Sequence, residues 1–281
     1  MAPKVGMSIY SYGANIVTRR MTIKECIEHA ASLGVEGIEL VDNRNIPNFP
    51  YQSVYDLEDL REHIESFGMR VSCYSPYLEE PHGRLLTLEQ YLKVFRKFAA
   101  EAAFLRTNII RPHFYILGFP RDEETLNTWF NMIKKIVSMA TPYLEKYDLI
   151  WGAEIHAPFK TSWFIKLAKE INSERFGLVP DFSCWEKKDI FGPAGPHGGE
   201  EPVDTLRECL PYTVHVHAKA HMFDEKGEEP NIPYDKLITI LKDGGFNGYI
   251  SAEYEGFVTG DYIDSRITAK KHIELIKRYL K

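Results

Sequence analysis

Cysteine is scarce. The 281 residues hold four, at Cys26, Cys73, Cys184 and Cys209, with no CxxC pair and no dense spacing. This excludes a disulfide framework and a structural zinc knot and leaves the four as small core residues. Long apolar runs are missing too: none reaches the roughly 18 residues that a membrane-crossing helix needs. The opening MAPKVGMSIYSYG has no basic head followed by a long apolar segment, so neither membrane insertion nor secretion is expected, and the cytoplasm is the expected compartment. Clusters of Lys and Arg are absent. With a formal net charge of −6 and a pI near 6.0, a groove that tracks nucleic acid is not expected, and a small molecule is the better partner. Also lacking are a low-complexity linker, a short repeat, and a glycine-rich phosphate fingerprint after the first strand; the last absence weighs against a doubly wound open sheet.

What is present is a regular alternation. An apolar content of 44% suffices for a large core. Strand-like segments are VGMSIYSYG (5–13), GIELVD (37–42), RVSCYSPY (70–77), TNIIRPHFY (107–115), LIWGAEIH (149–156), FGLVPDFS (176–183), TVHVHAKA (213–220) and GYISAEYE (248–255). Segments of helical period lie between and after them, at 22–34, 54–68, 87–106, 124–147, 233–245 and 265–280, and several stop at glycine, as in Leu33-Gly34, Phe67-Gly68 and Gly244-Gly245. Eight strand-then-helix units predict an α/β protein with a single (β/α)8 TIM barrel over residues 1–281.

In such a barrel the strands run in one direction and the chemistry gathers at their C-terminal ends. The last four strand segments end in candidate ligands: Glu154 and His156, Asp181, His217, and Glu253 and Glu255. A charge at the end of an apolar strand is costly unless a partner awaits it. A lone strand-end Glu is most often a solvated rim charge, and that reading is kept for Glu255 and His156. His215 and His221, which share strand parity with His217 and Lys219 in TVHVHAKAH, are read as supporting or rim groups. Coincidence on four consecutive strands instead points to a divalent cation, and carboxylates with one imidazole suit Mn²⁺, Mg²⁺ or Co²⁺, with Zn²⁺ as a further option.

With MSIYSYG, CIEHAASLGVEGIEL and LKDGGFNGYISAEYEG, the chain resembles, over essentially its whole length, the xylose-isomerase-like barrel superfamily of sugar isomerases and epimerases, related to ketose 3-epimerases. The resemblance places the metal ligands on Glu154, Asp181, His217 and Glu253, implies one divalent ion with Mn²⁺ the expected species, and makes Glu154 and Glu253 the catalytic pair. It implies a sugar isomerase or epimerase that abstracts a proton next to a carbonyl through a metal-bound enediolate. Metal-dependent lyases of the same superfamily, inosose-type dehydratases or the larger subunits of C-glycoside-cleaving enzymes, are the alternative. A non-catalytic sugar-binding protein is a further one. The apurinic endonucleases of this fold need additional histidines that this chain lacks.

Two departures stand out. Cys184 occupies the place three residues after Asp181 where many members carry histidine, and His217-Ala218-Lys219-Ala220 replaces an HVKD-like ending. Candidate substrate contacts are His113, beside Arg111 on strand four, together with Cys184, Trp185, Lys219 and Tyr12; Tyr10 and Tyr77 are further aromatics at the mouth, and 186–200 is a candidate lid. The expected partner is a sugar or sugar-derived ketone. A homo-oligomer is the expected assembly, or a small accessory subunit if the lyase reading holds.

Overall fold

A computed structural model describes residues 2–41, 52–77, 87–112, 122–155, 160–185 and 201–281. Its strands are β1 (Lys4–Ser8), β2 (Gly37–Val41), β3 (Arg70–Ser75), β4 (Ile109–Ile110), β5 (Ile150–Ile155), β6 (Phe176–Pro180), β7 (Val216–Ala220) and β8 (Tyr249–Tyr254). All pair in parallel in the order β6-β5-β4-β3-β2-β1-β8-β7. The two outer strands then meet through isolated bridges, Leu178 with Thr213 and Asp181 with His217. The result is a nearly closed ring of eight strands with helices between them: a single (β/α)8 TIM barrel, as the alternation predicts.

The helices are α1 (Gly13–Val17), α2 (Ile23–Ser32), α3 (Val54–Ser66), α4 (Leu88–Phe104), α5 (Glu123–Lys146), α6 (Thr161–Ile171), α7 (Pro202–Cys209), α8 (Tyr234–Asp243) and α9 (Ser265–Leu280). Local chemistry sets their ends. Thr22 with Glu25, Ser53 with Asp56 and Thr87 with Gln90 close reciprocal capping boxes at the starts of α2, α3 and α4. At the predicted stops, Gly34, Gly68 and Gly245 take positive φ, a conformation only glycine adopts without strain. Apolar stripes such as Leu57, Leu60 and Ile64 on α3 and Phe95 and Phe98 on α4 pack against the strands' outer faces, with Phe95 stacked on Trp151 at 4.8 Å. Among the described residues, no helix is long and apolar enough to cross a membrane.

All eight strands are shorter than their segments, two of them markedly. Segment 5–13 leaves the sheet after Ser8, passes through a 3-10 turn at Ile9–Tyr12 and enters α1. The turn is fixed by Ser11, whose hydroxyl donates to the Ala252 carbonyl and accepts from the Tyr254 amide, tying the turn to β8. Segment 107–115 contributes only Ile109–Ile110 to the sheet among the described residues.

Candidate metal centre

At the C-terminal end of the ring, Glu154, Asp181, His217 and Glu253 each bring one oxygen or nitrogen within 4.8 Å of the others. Each is positioned by its strand. β6 ends at Pro180, and the next residue, Asp181, uses Oδ1 to accept from the Ser183 amide and hydroxyl, both at 2.8 Å, which fixes the carboxylate at the start of a 3-10 turn. The parallel register sets Lys219 opposite Glu253, and Asp181 is bridged to His217. His217 Nδ1 lies 2.6 Å from Glu154 Oε1 and 3.0 Å from Glu253 Oε2. Asp181, His217 and Glu253 are buried and Glu154 nearly so.

Like charges gathered in low dielectric demand compensation. Lys219 supplies part of it, with Nζ 3.3 Å from Asp181, 3.2 Å from Glu253 and 3.0 Å from Glu255. Burial alone would deprotonate this ammonium; the carboxylates of Asp181, Glu253 and Glu255 outweigh it and hold the lysine charged far above its usual range. His217 follows the same pattern: burial opposes its charge, but Glu253, Glu39 and Glu154 raise it well above an ordinary imidazole. Both ring nitrogens face carboxylates, an environment in which either a proton or a cation at Nδ1 is favoured. Glu253 Oε2 is buried and accepts no well-aligned hydrogen bond among the described residues. Three carboxylates and one imidazole, convergent on one point, form a set that fits a divalent cation.

On the opposite side of the ring lies a group that sequence reasoning did not single out. Glu39, fully buried in the middle of β2, accepts from Ser75 Oγ at 2.5 Å and faces His217 Nε2 at 2.9 Å and His215 Nε2 at 3.4 Å. Burial would raise its pKa, but His217 and His215 bring it well below the usual carboxylate range. Arg111, directly after β4, donates from Nε to Ser75 Oγ at 3.1 Å and from Nη1 to Glu154 Oε2 at 2.7 Å. Burial opposes its charge, but Glu154 and further neighbouring acids keep the guanidinium firmly protonated. The available signal was the single acidic residue at the centre of GIELV. Glu39, Cys73 and His215 also approach one another, but all are fully buried, and burial followed by the Glu39 charge pushes the Cys73 thiol far up, so it is a neutral thiol.

The profile of the xylose isomerase-like TIM barrel family matches residues 27–279. The chain belongs to this family. It is similar to the 3'-dehydrocarminate deglycosidase alpha subunit of a Microbacterium species, at 23% identity over 91% of this chain and 89% of that protein. A C-glycoside deglycosidase alpha subunit of Arthrobacter globiformis is 41% identical over 101 residues, which are 36% of this chain and 25% of that relative. Among solved structures, D-psicose 3-epimerase in the presence of D-fructose superposes with a TM-score of 0.72 at 13% identity, covering 99% of each chain.

Within this xylose isomerase-like barrel, the remaining predicted contacts divide. Lys219 joins the four convergent residues. Tyr12 does not: its hydroxyl lies 2.9 Å from His29 Nδ1 on α2, and its ring is fully buried in the core. The early end of β1 is the reason, since a 3-10 turn breaks the alternation that would have put Tyr10 and Tyr12 on one face. Tyr10 is the residue that reaches the mouth, donating to Glu255 Oε1 at 3.3 Å. The Tyr77 ring centroid is 5.9 Å from the Arg111 guanidinium. Cys184 donates its thiol to the Ile155 carbonyl at 3.2 Å, and Trp185 donates Nε1 to Thr205 Oγ1 on α7 at 2.7 Å, so both turn polar atoms to the scaffold. Glu255, read as a rim charge, is paired with Lys219. His113, His156 and the 186–200 segment lie outside the described residues.

Proposed function

We propose that this chain is a divalent-cation-dependent enzyme that takes a proton from the carbon beside the carbonyl of a sugar-derived ketone, with Glu154 and Glu253 as the proton-transferring pair and Glu154, Asp181, His217 and Glu253 as ligands. One observation carries the reading: the two glutamates approach the same imidazole nitrogen, His217 Nδ1, from different strands, at 2.6 and 3.0 Å. A cation bound there, Mn²⁺ as the first candidate, would supply Lewis acidity to a substrate carbonyl and make the neighbouring C–H easier to ionise.

The side chains divide the remaining work. Arg111 occupies Oε2 of Glu154, which leaves Oε1 as the oxygen that faces the cluster. Glu253 is held by the Lys219 ammonium at 3.2 Å rather than by a guanidinium, and it is assigned the receipt of the proton from carbon. Lys219 offsets charge beside it and can orient a hydroxyl of the substrate. Tyr10 and Tyr77 offer aromatic surface at the mouth.

For the outcome after proton removal we favour elimination, cleavage of a C-glycoside, over epimerisation. Relatives matched in sequence, one across nine-tenths of this chain, are named deglycosidase alpha subunits, whereas the epimerase likeness at 13% identity speaks to the fold alone. An alpha subunit implies a companion, so this reading includes a second, accessory chain. Isomerisation or epimerisation is the second reading, supported by the presence of two carboxylates in one site, one to take a proton and one to return it. The test is to incubate the Mn²⁺-loaded chain, with and without a candidate companion subunit, with a 3-oxo C-glycoside in D₂O. Release of free aglycone is expected. A mass-conserving epimer with solvent deuterium on carbon would move the assignment to the isomerases. Ligand binding with neither product nor deuterium uptake would remove the catalytic reading and leave a sugar-binding protein.

A further inference from the structure

A closed circuit of polar contacts runs through the barrel. Ser75 donates to Glu39 Oε1 at 2.5 Å, Arg111 donates to Ser75 at 3.1 Å and to Glu154 Oε2 at 2.7 Å, Glu154 Oε1 lies 2.6 Å from His217 Nδ1, and His217 Nε2 lies 2.9 Å from Glu39 Oε1. Glu39 is where the circuit starts and ends. It is fully buried, in a strand whose other residues are apolar or glycine, and a carboxylate there is costly unless its contacts are needed. The backbone is also adjusted at this point: the β2–β3 register slips between Ile38 and Glu39, pairing Ile38 with Val71 and Glu39 with Cys73. Such bulges re-aim side chains beside functional sites.

We propose that Glu39 is the positioning residue of the cluster: it engages Nε2 of His217, so that Nδ1 is the nitrogen offered to a cation, and through Ser75 and Arg111 it fixes Glu154 with Oε1 turned to the same point. The inference rests on the metal-centre reading above. It gives β2, β3 and β4 a function in a site whose four convergent groups come from β5, the end of β6, β7 and β8. A carboxylate behind an imidazole sets its tautomer and strengthens it as a ligand, and loss of such a partner weakens metal affinity by about 10- to 100-fold.

The experiment compares the full chain with its Glu39→Gln variant, which keeps the size and one acceptor oxygen but removes the charge and turns the other oxygen into an NH2 donor. Mn²⁺ affinity is read from the free-ion EPR signal, and the Zn²⁺-loaded proteins are examined by ¹⁵N-histidine NMR. Wild type is expected to show His217 with a proton on Nε2 and a ligated Nδ1; the variant should bind Mn²⁺ about 10- to 100-fold more weakly and lose the uniform Nε2–H signature. Unchanged affinity with an unchanged His217 signal would overturn the role of Glu39 while leaving the metal centre intact. Failure of wild type to bind Mn²⁺ or Zn²⁺ would instead overturn the reading on which the inference rests. If Glu39→Gln does not fold, Ser75→Ala, which removes the hydroxyl between Glu39 and Arg111 and leaves them only their direct 3.6 Å ion pair, is measured in its place. A several-fold weaker affinity is expected, and wild-type affinity would overturn the inference.

Discussion

Strand β7 has a fully buried histidine on each side of it. Inside the barrel, His217 faces the carboxylates of Glu39, Glu154 and Glu253. Outside, His272 of α9 faces the Tyr234 hydroxyl, which itself donates to the Lys219 carbonyl. Both are fully shielded from water, yet their states are opposite. Burial depresses His272 to about 3 and leaves it neutral, whereas at His217 the surrounding acids outweigh the same penalty. Burial therefore does not decide which polar residue is chemical; the sign and number of its neighbours do. The outward side chains of β7 itself, Val216, Ala218 and Ala220, are small and apolar, so one strand separates a scaffold from a charged interior.

The sharpest break in this contrast would come from the interior. Glu253→Gln should lower turnover by about 10³-fold with an unchanged circular dichroism spectrum; wild-type aglycone release or deuterium exchange in that variant would put the interior acids on the scaffold side of the comparison. Lys219→Met leaves Asp181, Glu253 and Glu255 without the ammonium between them. In chelator it should cost about 3–5 kcal/mol by urea titration, with part of the loss recovered on adding Mn²⁺. Equal stability of the two proteins would show that the interior is not held together by charge. The exterior histidine makes a pH prediction. Its pKa is lower folded than unfolded, so the unfolded chain binds the proton first, and stability is lost as pH falls from about 6.5 towards about 3. The loss amounts to a few kcal/mol, and His272→Gln should flatten that part of the stability profile. Smallest is Tyr234→Phe, which removes the hydroxyl between His272 and Lys219 and should cost about 1–3 kcal/mol while leaving Mn²⁺ affinity unaltered; a shift in affinity would join the two faces.

The fold was legible because it is repetitive: apolar strands, helical stripes and glycine stops recur along the chain, and no single position had to be read correctly. The convergence of the β5–β8 half of the candidate site was legible for a related reason. Glu154, Asp181, His217 and Glu253 close short apolar runs, and their coincidence on consecutive strands is a local pattern. Glu39 and Ser75 escaped, and Arg111 was noted only as the strand-four neighbour of His113, because their importance is relational. Glu39 sits mid-strand and becomes significant only when β7 is brought across the barrel, and Arg111 offers no sign that its partners are Ser75 and Glu154. Tyr12 was misplaced because period-two counting continued past Ser8, where the backbone had already turned under the control of a hydroxyl contact to β8. Composition cannot report where a strand stops when a distant hydrogen bond decides it.

Between β6 and β7 isolated bridges replace a continuous ladder, and one of those bridges joins Asp181 to His217. The seam of the barrel thus passes through two of the groups that would grip an ion. An ion held by these two side chains would tie the strands together across the seam a second time, and slowed amide exchange along it on ion binding would register that clasp directly.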